Sequence, residues 1–171
     1  MATGTLVSVE EYLRGDYEPD CDYVAGVLEE RNAGEWDHSS LQAAIGAYFF
    51  VRRKPWKLRV ATEQRIRVKS MRYRIPDVCV ILEPGPFDQI ISVPPFICIE
   101  ILSPEDRTVR TQARIDDFLA FGVRYVWVID PSTRRAFVHT SAGGYEAKDG
   151  ILRTENPEIV VPLQEIFASL E

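Results

Sequence analysis

Two short apolar runs in the middle of the chain constrain the fold more than any other feature. Residues 75–82 and 96–102 are near-continuous apolar segments, and each contains a single charged residue, Asp77 or Glu100. Runs of this kind are typical of strands that are buried on both faces at the centre of a sheet. The connection between them is too short and too rich in proline for a helix. Because sequential strands usually neighbour each other, we predict an antiparallel pair.

The flanking segments predict helices on the faces of this sheet. Residues 8–11 form a capping box for a short helix, and Asp37 is expected to cap a longer helix that runs to about residue 53. Residues 106–121 read as a helix between two strands, which implies a right-handed crossover and a parallel strand pair. The prediction is an α/β (α+β) fold in which a central mixed sheet is flanked by helices, with residues 1–171 as a single domain.

Composition is that of an ordinary soluble domain and excludes several classes of protein. The chain has 171 residues, 46% of them hydrophobic and 27% charged, with a net charge of −6. No apolar run approaches the roughly 20 residues that a membrane helix needs, and the first residues lack the pattern of a secretory signal. Three cysteines without CxxC spacing argue for reduced thiols in a cytoplasmic protein. Glycine-rich phosphate loops and a GxSxG elbow are missing, and His38 and His139 lack the spacing of metal ligands.

Positive charge is concentrated in residues 52–74, which contain ten basic residues and one acidic residue, Glu63. A basic segment on an acidic protein can hold a polyanion locally. The candidate nucleic-acid contacts in this segment are Arg65, Arg67, Lys69, Arg72 and Arg74. A pair of strands with solvated basic positions explains the same pattern, and the sequence leaves both interpretations open.

The two carboxylates of the apolar runs are the strongest candidates for chemistry. Asp77 lies near the start of its predicted strand and Glu100 near the end of the next, so antiparallel pairing brings them together. A buried carboxylate must be paired, hydrogen-bonded or bound to a cation. Carboxylates with a backbone carbonyl, here that of Ile101, are ligands that suit Mg²⁺ or Mn²⁺. Pairing with arginines such as Arg74 or Arg124 is the alternative.

A family resemblance follows from the order and spacing of five stretches. The chain resembles the Uma family of bacterial "putative restriction endonucleases" in the PD-(D/E)XK nuclease superfamily. The stretches that carry the resemblance are DYVAG at 22–26, DHS at 37–39, RIPDV at 74–78, IEILSP at 99–104 and GVRYVWVIDP at 122–131. The resemblance implies a restriction-endonuclease-like fold and a cytoplasmic, metal-dependent endonuclease that acts on nucleic acid, with DNA as the expected substrate. Superfamily members are often homodimers, which leaves a homodimer open here.

The resemblance also implies roles for individual residues. Asp77 and Glu100 would bind the divalent cation, and His38 would contact a phosphate or a metal-bound water. The superfamily lysine falls at Leu102, and the displaced lysine of the Uma family falls at Arg114. Arginine keeps the positive charge but cannot act as a base. The family's Asp-Gly-Glu is replaced by Ala25-Gly26-Val27. The alternative function is therefore a catalytically degenerate nuclease fold that serves as a nucleic-acid-binding or protein-interaction module.

Overall fold

A computed structural model describes residues 6–32, 34–85, 88–106 and 108–171. Its helices are α1 (Val9–Arg14), α2 (Trp36–Arg52), α3 (Thr108–Phe121) and α4 (Leu163–Phe167), followed by a 3-10 turn at Ala168–Leu170. Its strands are β1 (Cys21–Val24), β2 (Val27–Glu30), β3 (Leu58–Thr62), β4 (Ile66–Lys69), β5 (Arg72–Arg74), β6 (Val78–Leu82), β7 (Ile97–Ile101), β8 (Tyr125–Asp130), β9 (Arg135–Thr140), β10 (Gly143–Glu146), β11 (Ile151–Thr154) and β12 (Ile159–Pro162).

The predicted strand pair lies at the centre of a six-stranded mixed sheet with the order β10-β9-β8-β7-β6-β3. Strands β6 and β7 are antiparallel, and Val78 lies opposite Ile99. Strands β7 and β8 are parallel and are connected through α3, as the strand-helix-strand pattern predicts. The fold class is therefore confirmed: a large mixed sheet is flanked by helices.

A second sheet, with the order β2-β1-β5-β4, corrects the interpretation of residues 58–68. In the sequence, Arg65 and Arg67 alternate with Ile66 and Val68, and this pattern predicts one strand over residues 58–68. In the structure the chain leaves the large sheet after β3 and enters the small one at β4. The break lies at Glu63, whose φ of 52° is incompatible with a continuous strand. Within β4 the predicted alternation is present, because Ile66 and Val68 are buried while Arg67 and Lys69 are exposed.

The core covers both faces of the large sheet, as side-chain alternation requires. On one face, Leu41, Ile45 and Phe49 of α2 pack with strand residues such as Val78 and Ile99. On the other face, α3 and the small sheet complete a second core, formed by Ile66, Val68, Cys79, Ile91, Cys98, Ile115, Phe118, Val123, Val126 and Val128. The far face of the central strands therefore contacts α3, the helix that carries Arg114.

The start of α1 and the end of α3 agree with the sequence, whereas the starts of α2 and α3 differ from it. Ser8 and Glu11 form the predicted capping box, and α3 ends at Gly122, whose φ is 112°. The N-cap of α2 is Glu35, and Asp37 lies in the first turn, so the prediction that Asp37 caps this helix is wrong. A negative charge in the first turn still interacts favourably with the helix dipole. The described part of α3 begins at Thr108 rather than at Asp106, and residue 107 lies outside the described residues.

Two general expectations from composition can be compared with the described residues. Cys21, Cys79 and Cys98 are buried and free. In the part of the chain that the structure describes, no helix has the length and the apolar character needed to cross a membrane.

Candidate active site

Strand pairing brings Asp77 and Glu100 to one cavity. Because Val78 lies opposite Ile99 in the antiparallel pair, Asp77, just before β6 begins, comes opposite Glu100, near the end of β7. Both side chains lie on the sheet face that Cys79 and Cys98 share. They line a cavity of about 60 Å³ together with other polar side chains, among them Arg31, His38, Arg110 and Arg114. The structure thus brings together the two carboxylates that the sequence pattern predicted to converge.

Asp77 is held from three directions and is only 1% exposed. The backbone N–H of Ile101 donates to Asp77 Oδ2 over 2.6 Å. Arg31 Nη2 forms an ion pair with Asp77 Oδ1, and His38 Nε2 lies 3.3 Å from the same oxygen. Burial alone would raise the pKa of Asp77, but the hydrogen bond from His38 and the charge of Arg31 hold it below its usual value. Asp77 is therefore an ionised carboxylate in the interior.

Glu100 has a different electrostatic environment from Asp77. Arg114 Nη2 donates to Glu100 Oε1 over 2.7 Å, and no group in the described ranges donates to Oε2. Burial raises the pKa of Glu100 to about 7, although the charge of Arg114 opposes this rise. The two carboxylates therefore differ in proton affinity, and only Glu100 is expected to exchange a proton near neutral pH.

Arg114 lies in the middle of α3 and is fixed by groups from three segments. Its Nη1 pairs with Asp22 of β1. Its Nη2 donates to the carbonyl oxygen of Ile75 over 2.7 Å as well as to Glu100. Burial alone would lower the pKa of Arg114, but the charges of Asp22 and Glu100 raise it well above its usual value. The position where the resemblance implies a catalytic cation thus contains a guanidinium that touches Glu100.

A buried ion network lies directly behind Arg114. Arg74 is 3% exposed. It binds Asp22 over 2.9 Å, Glu29 over 2.7 Å and Asp117 over 2.8 Å. Asp22 also accepts the backbone N–H of Ile75 over 2.9 Å. The network joins β1, β5 and α3, so it fixes the helix that presents Arg114 to the cavity.

Comparison with known proteins identifies the family. The family model Uma2, described as "Putative restriction endonuclease", matches residues 9–171. This chain belongs to the Uma2 family. It is also similar to a crystal structure of "a putative nuclease belonging to DUF820" from Anabaena variabilis ATCC 29413. That match has a TM-score of 0.81 and 22% identity, and covers 96% of this chain and 99% of the other. The chain matches none of the curated proteins.

Of the positions that depart from the Uma pattern, Leu102 and Arg114 line the cavity and residues 25–27 do not. Leu102, at the superfamily lysine position, lines the cavity and carries no charge. Arg114, on the neighbouring helix α3, lines the cavity and carries a positive charge. Ala25 and Gly26 form the turn between β1 and β2, and Val27 is exposed. Neither these two turn residues nor Val27 lines the cavity.

The basic residues predicted to contact nucleic acid are divided between surface and interior. Arg67 and Lys69 are exposed on β4. Arg65 is half-buried, with its guanidinium 5.1 Å from the centre of the Tyr12 ring. Arg72 pairs with Asp117 over 2.7 Å. Arg74 lies inside the buried network, so a phosphate cannot reach it without unfolding that network, and we correct the prediction for Arg74 on this ground.

The arginine partners of the two carboxylates also differ from those considered in the sequence. Neither Arg74 nor Arg124 pairs with Asp77 or Glu100. Arg124 instead donates to the carbonyl oxygens of Asn156, over 2.9 Å, and Glu155, over 3.3 Å. In the structure Asp77 pairs with Arg31, which lies far from it in the sequence. Glu100 pairs with Arg114, which lies on the following helix, α3.

Sequence reasoning missed Arg31 and Gln42. Arg31 follows β2 and bridges Asp77 and Glu63. Gln42 Nε2 donates to Glu63 Oε1 over 2.6 Å and to the carbonyl oxygen of Asp77 over 3.0 Å. Gln42 lies four residues after His38 on α2, and this spacing places both side chains on one helix face. That periodicity could have indicated Gln42, whereas no local pattern marks Arg31.

The donor set of the cavity fits a divalent cation of the Mg²⁺ type. Among the described residues, no group of three or more His, Cys, Asp or Glu side chains is arranged to hold a metal ion. Mg²⁺, however, is commonly bound by one or two carboxylates, with waters and substrate phosphate completing its coordination. Asp77, Glu100 and the carbonyl of Ile101 supply oxygen ligands of this kind, and Glu100 Oε2 carries no hydrogen bond within the described residues.

Proposed function

We propose that this chain is a metal-dependent endonuclease that hydrolyses phosphodiester bonds of DNA with Mg²⁺ or Mn²⁺. The observation that supports the proposal most directly is the convergence of Asp77 and Glu100 on one cavity beside Arg114. Two buried carboxylates of unlike proton affinity beside a fixed guanidinium are suited to bind a cation and a phosphate. Membership of the Uma2 family agrees with a nucleic-acid substrate.

Each residue of the cavity has a role in this proposal. Asp77, Glu100 and the carbonyl of Ile101 would hold the cation, which lowers the pKa of a bound water and polarises the phosphate when present. His38 keeps Asp77 ionised and oriented through its Nε2. Arg114 holds a positive charge beside Glu100, where negative charge develops on the phosphate. Because its pKa is high, Arg114 stabilises charge and does not remove a proton.

The proposal is tested by a cleavage assay of the full chain on single-stranded and double-stranded DNA and RNA. The wild type is expected to cleave DNA when Mg²⁺ or Mn²⁺ is added and to be inactive with EDTA. Asp77→Asn is expected to lose cleavage and cation binding together, because it removes a charged ligand. Circular dichroism and thermal melting check that this variant folds.

Arg153→Gln serves as the control, because Arg153 is exposed and forms an ion pair with nearby Asp149, outside the cavity. Its cleavage and cation binding are expected to equal those of the wild type. Cleavage that persists in Asp77→Asn, or in EDTA, would exclude Asp77 from the site.

A second function is supported by one specific observation. Arg31 pairs with Asp77 and Arg114 pairs with Glu100, so guanidinium groups neutralise the charges of both carboxylates and no metal ion is needed for this. A degenerate nuclease fold that binds nucleic acid without cleaving it would show this arrangement. It predicts that wild-type protein binds DNA in EDTA and cleaves no substrate with either cation.

DNA binding is expected to depend on the exposed basic positions of β4. Replacing Arg67 and Lys69 with serine should weaken binding and flatten its salt dependence. On duplex DNA the log–log slope should change by about 0.9 for each side chain that contacts a phosphate. Fluorescence anisotropy over a series of salt concentrations measures the slope.

The matched control replaces Lys148 and Arg153 with serine, since this pair also removes one lysine and one arginine. The control should reproduce the wild-type slope apart from the small effect of net charge. Equal slopes in both double variants would show that β4 does not contact the DNA.

A further inference from the structure

We infer that Arg31 is an exchangeable counter-ion of Asp77. Its guanidinium pairs with Asp77 Oδ1, and a divalent cation bound at that oxygen would have to replace it. The inference rests on the proposed function, because it concerns how the chain's own residues respond to the cation. It adds that Arg31 controls cation affinity, which neither the sequence pattern nor the family assigns to it.

The position of Arg31 supports competition with a cation. Its Nη2 pairs with Asp77 Oδ1 and its Nη1 pairs with Glu63 Oε2. The Arg31 side chain is 14% exposed, and it lines the same cavity as Asp77 and Glu100. Arg31 therefore neutralises a carboxylate charge at the place where the proposed cation binds.

Arg31 is held less firmly than Arg114, the other arginine of the cavity. Within the described ranges its side chain binds only carboxylates, and it belongs to the irregular connection between β2 and α2. Arg114 belongs to α3 and also donates to the buried carbonyl of Ile75. Its partner Asp22 is itself fixed by Arg74. Displacing Arg114 would therefore break contacts with three segments, whereas displacing Arg31 breaks its ion pairs with Asp77 and Glu63, the first of which a cation at Asp77 would replace.

The charges around the cavity favour a divalent cation that replaces Arg31 at Asp77 over one that binds beside Arg31. The carboxylates that line the cavity are Glu30, Asp77, Glu100 and Asp106, and the basic residues that line it are Arg31, Arg110 and Arg114, together with His38. This set is close to neutral. A divalent cation added beside Arg31 would place three positive charges at Asp77 in a region of low dielectric constant, where repulsion is strong. Displacement of Arg31 relieves this repulsion.

The test measures Mn²⁺ binding to the EDTA-stripped full chain by isothermal titration calorimetry, without DNA. Arg31→Gln removes the charge and keeps a polar side chain, and we expect it to bind Mn²⁺ about tenfold more tightly than the wild type. Arg31→Lys keeps the charge but cannot form the bidentate bridge, so its affinity should lie between the two. Arg153→Gln is the matched control and should equal the wild type.

Thermal melting provides a second readout that does not depend on cleavage. In EDTA, Arg31→Gln should melt below the wild type because Asp77 loses its buried counter-ion. Saturating Mn²⁺ should raise its melting temperature by more than it raises that of the wild type. If Arg31→Gln does not fold in EDTA, Arg31→Lys serves for both measurements.

Mn²⁺ binding to Asp77→Asn shows whether the cation binds through Asp77. This measurement separates failure of the inference from failure of the proposed function. If the wild type binds Mn²⁺ through Asp77, and Arg31→Gln binds it with equal or lower affinity, the exchange is overturned and the proposed function stands. If neither the wild type nor Arg31→Gln binds Mn²⁺, the cation site itself is overturned and the exchange with it.

Discussion

Replacing Arg74 with alanine is expected to lower the free energy of unfolding by about 3–5 kcal/mol, because it leaves buried carboxylates without their counter-ion. Arg74 is 3% exposed and is the residue that joins Asp22, Glu29 and Asp117. Arg72 and Arg114 still neutralise part of the remaining charge, which favours the lower end of the range. Urea unfolding followed by circular dichroism measures the change.

The control for this prediction is Arg153→Ala, which removes an arginine of an exposed ion pair with Asp149. Exposed pairs contribute little to stability because solvent screens them, so this variant should change the midpoint much less than Arg74→Ala. Equal midpoints for the two variants would show that the network does not stabilise the fold. Arg74→Lys should recover only part of the loss, since an ammonium group cannot bind three carboxylates in the geometry of a guanidinium.

The central strand pair, β6 and β7, could be predicted because it is determined by features that are local in the sequence. Strands β6 and β7 are consecutive, their apolar runs are uninterrupted, and each contains one carboxylate. Antiparallel pairing of consecutive strands then places Asp77 beside Glu100 without knowledge of the rest of the chain. The parallel partner β8 followed from the same kind of argument, since one helix separates it from β7.

The counter-ions of these carboxylates could not be predicted because they come from distant segments. Arg31 lies beside Asp77 because the β1–β2 hairpin packs against β5 in the small sheet. That sheet was not foreseen, since the turn at Glu63, which separates β4 from β3, has no glycine or proline to mark it. Arginine is also a residue that is mostly exposed, which favours the interpretation of Arg74 as a nucleic-acid contact over that of a buried counter-ion. Its burial depends on Asp22, Glu29 and Asp117, which tertiary packing brings together.

Replacing Arg114 with alanine is expected to lower turnover of the proposed reaction by about 10²–10³-fold, the loss typical when a charge-stabilising donor is removed. The structure adds a second effect. Arg114 opposes the rise that burial causes in the pKa of Glu100, which is about 7. Without Arg114 the pKa of Glu100 should rise further, so more Glu100 is protonated at neutral pH and Mg²⁺ binds less tightly.

The loss of charge stabilisation and the loss of Mg²⁺ affinity can be distinguished by changing the pH and by a second substitution. Raising the pH to about 9 deprotonates Glu100 and should restore Mg²⁺ affinity to Arg114→Ala, but not its turnover, because the missing positive charge does not return. Arg114→Lys restores the residue type that the Uma pattern places there and should hold or raise the wild-type turnover at both pH values. The measurements are Mg²⁺ titrations and single-turnover cleavage at pH 7 and about pH 9, with Arg153→Gln as the control.

Full turnover of Arg114→Ala would remove this residue from the reaction. Inactivity of every variant, including Arg114→Lys, would favour the nucleic-acid-binding module. Activity that appears only in Arg114→Lys would identify the arginine as the change that made this nuclease fold degenerate.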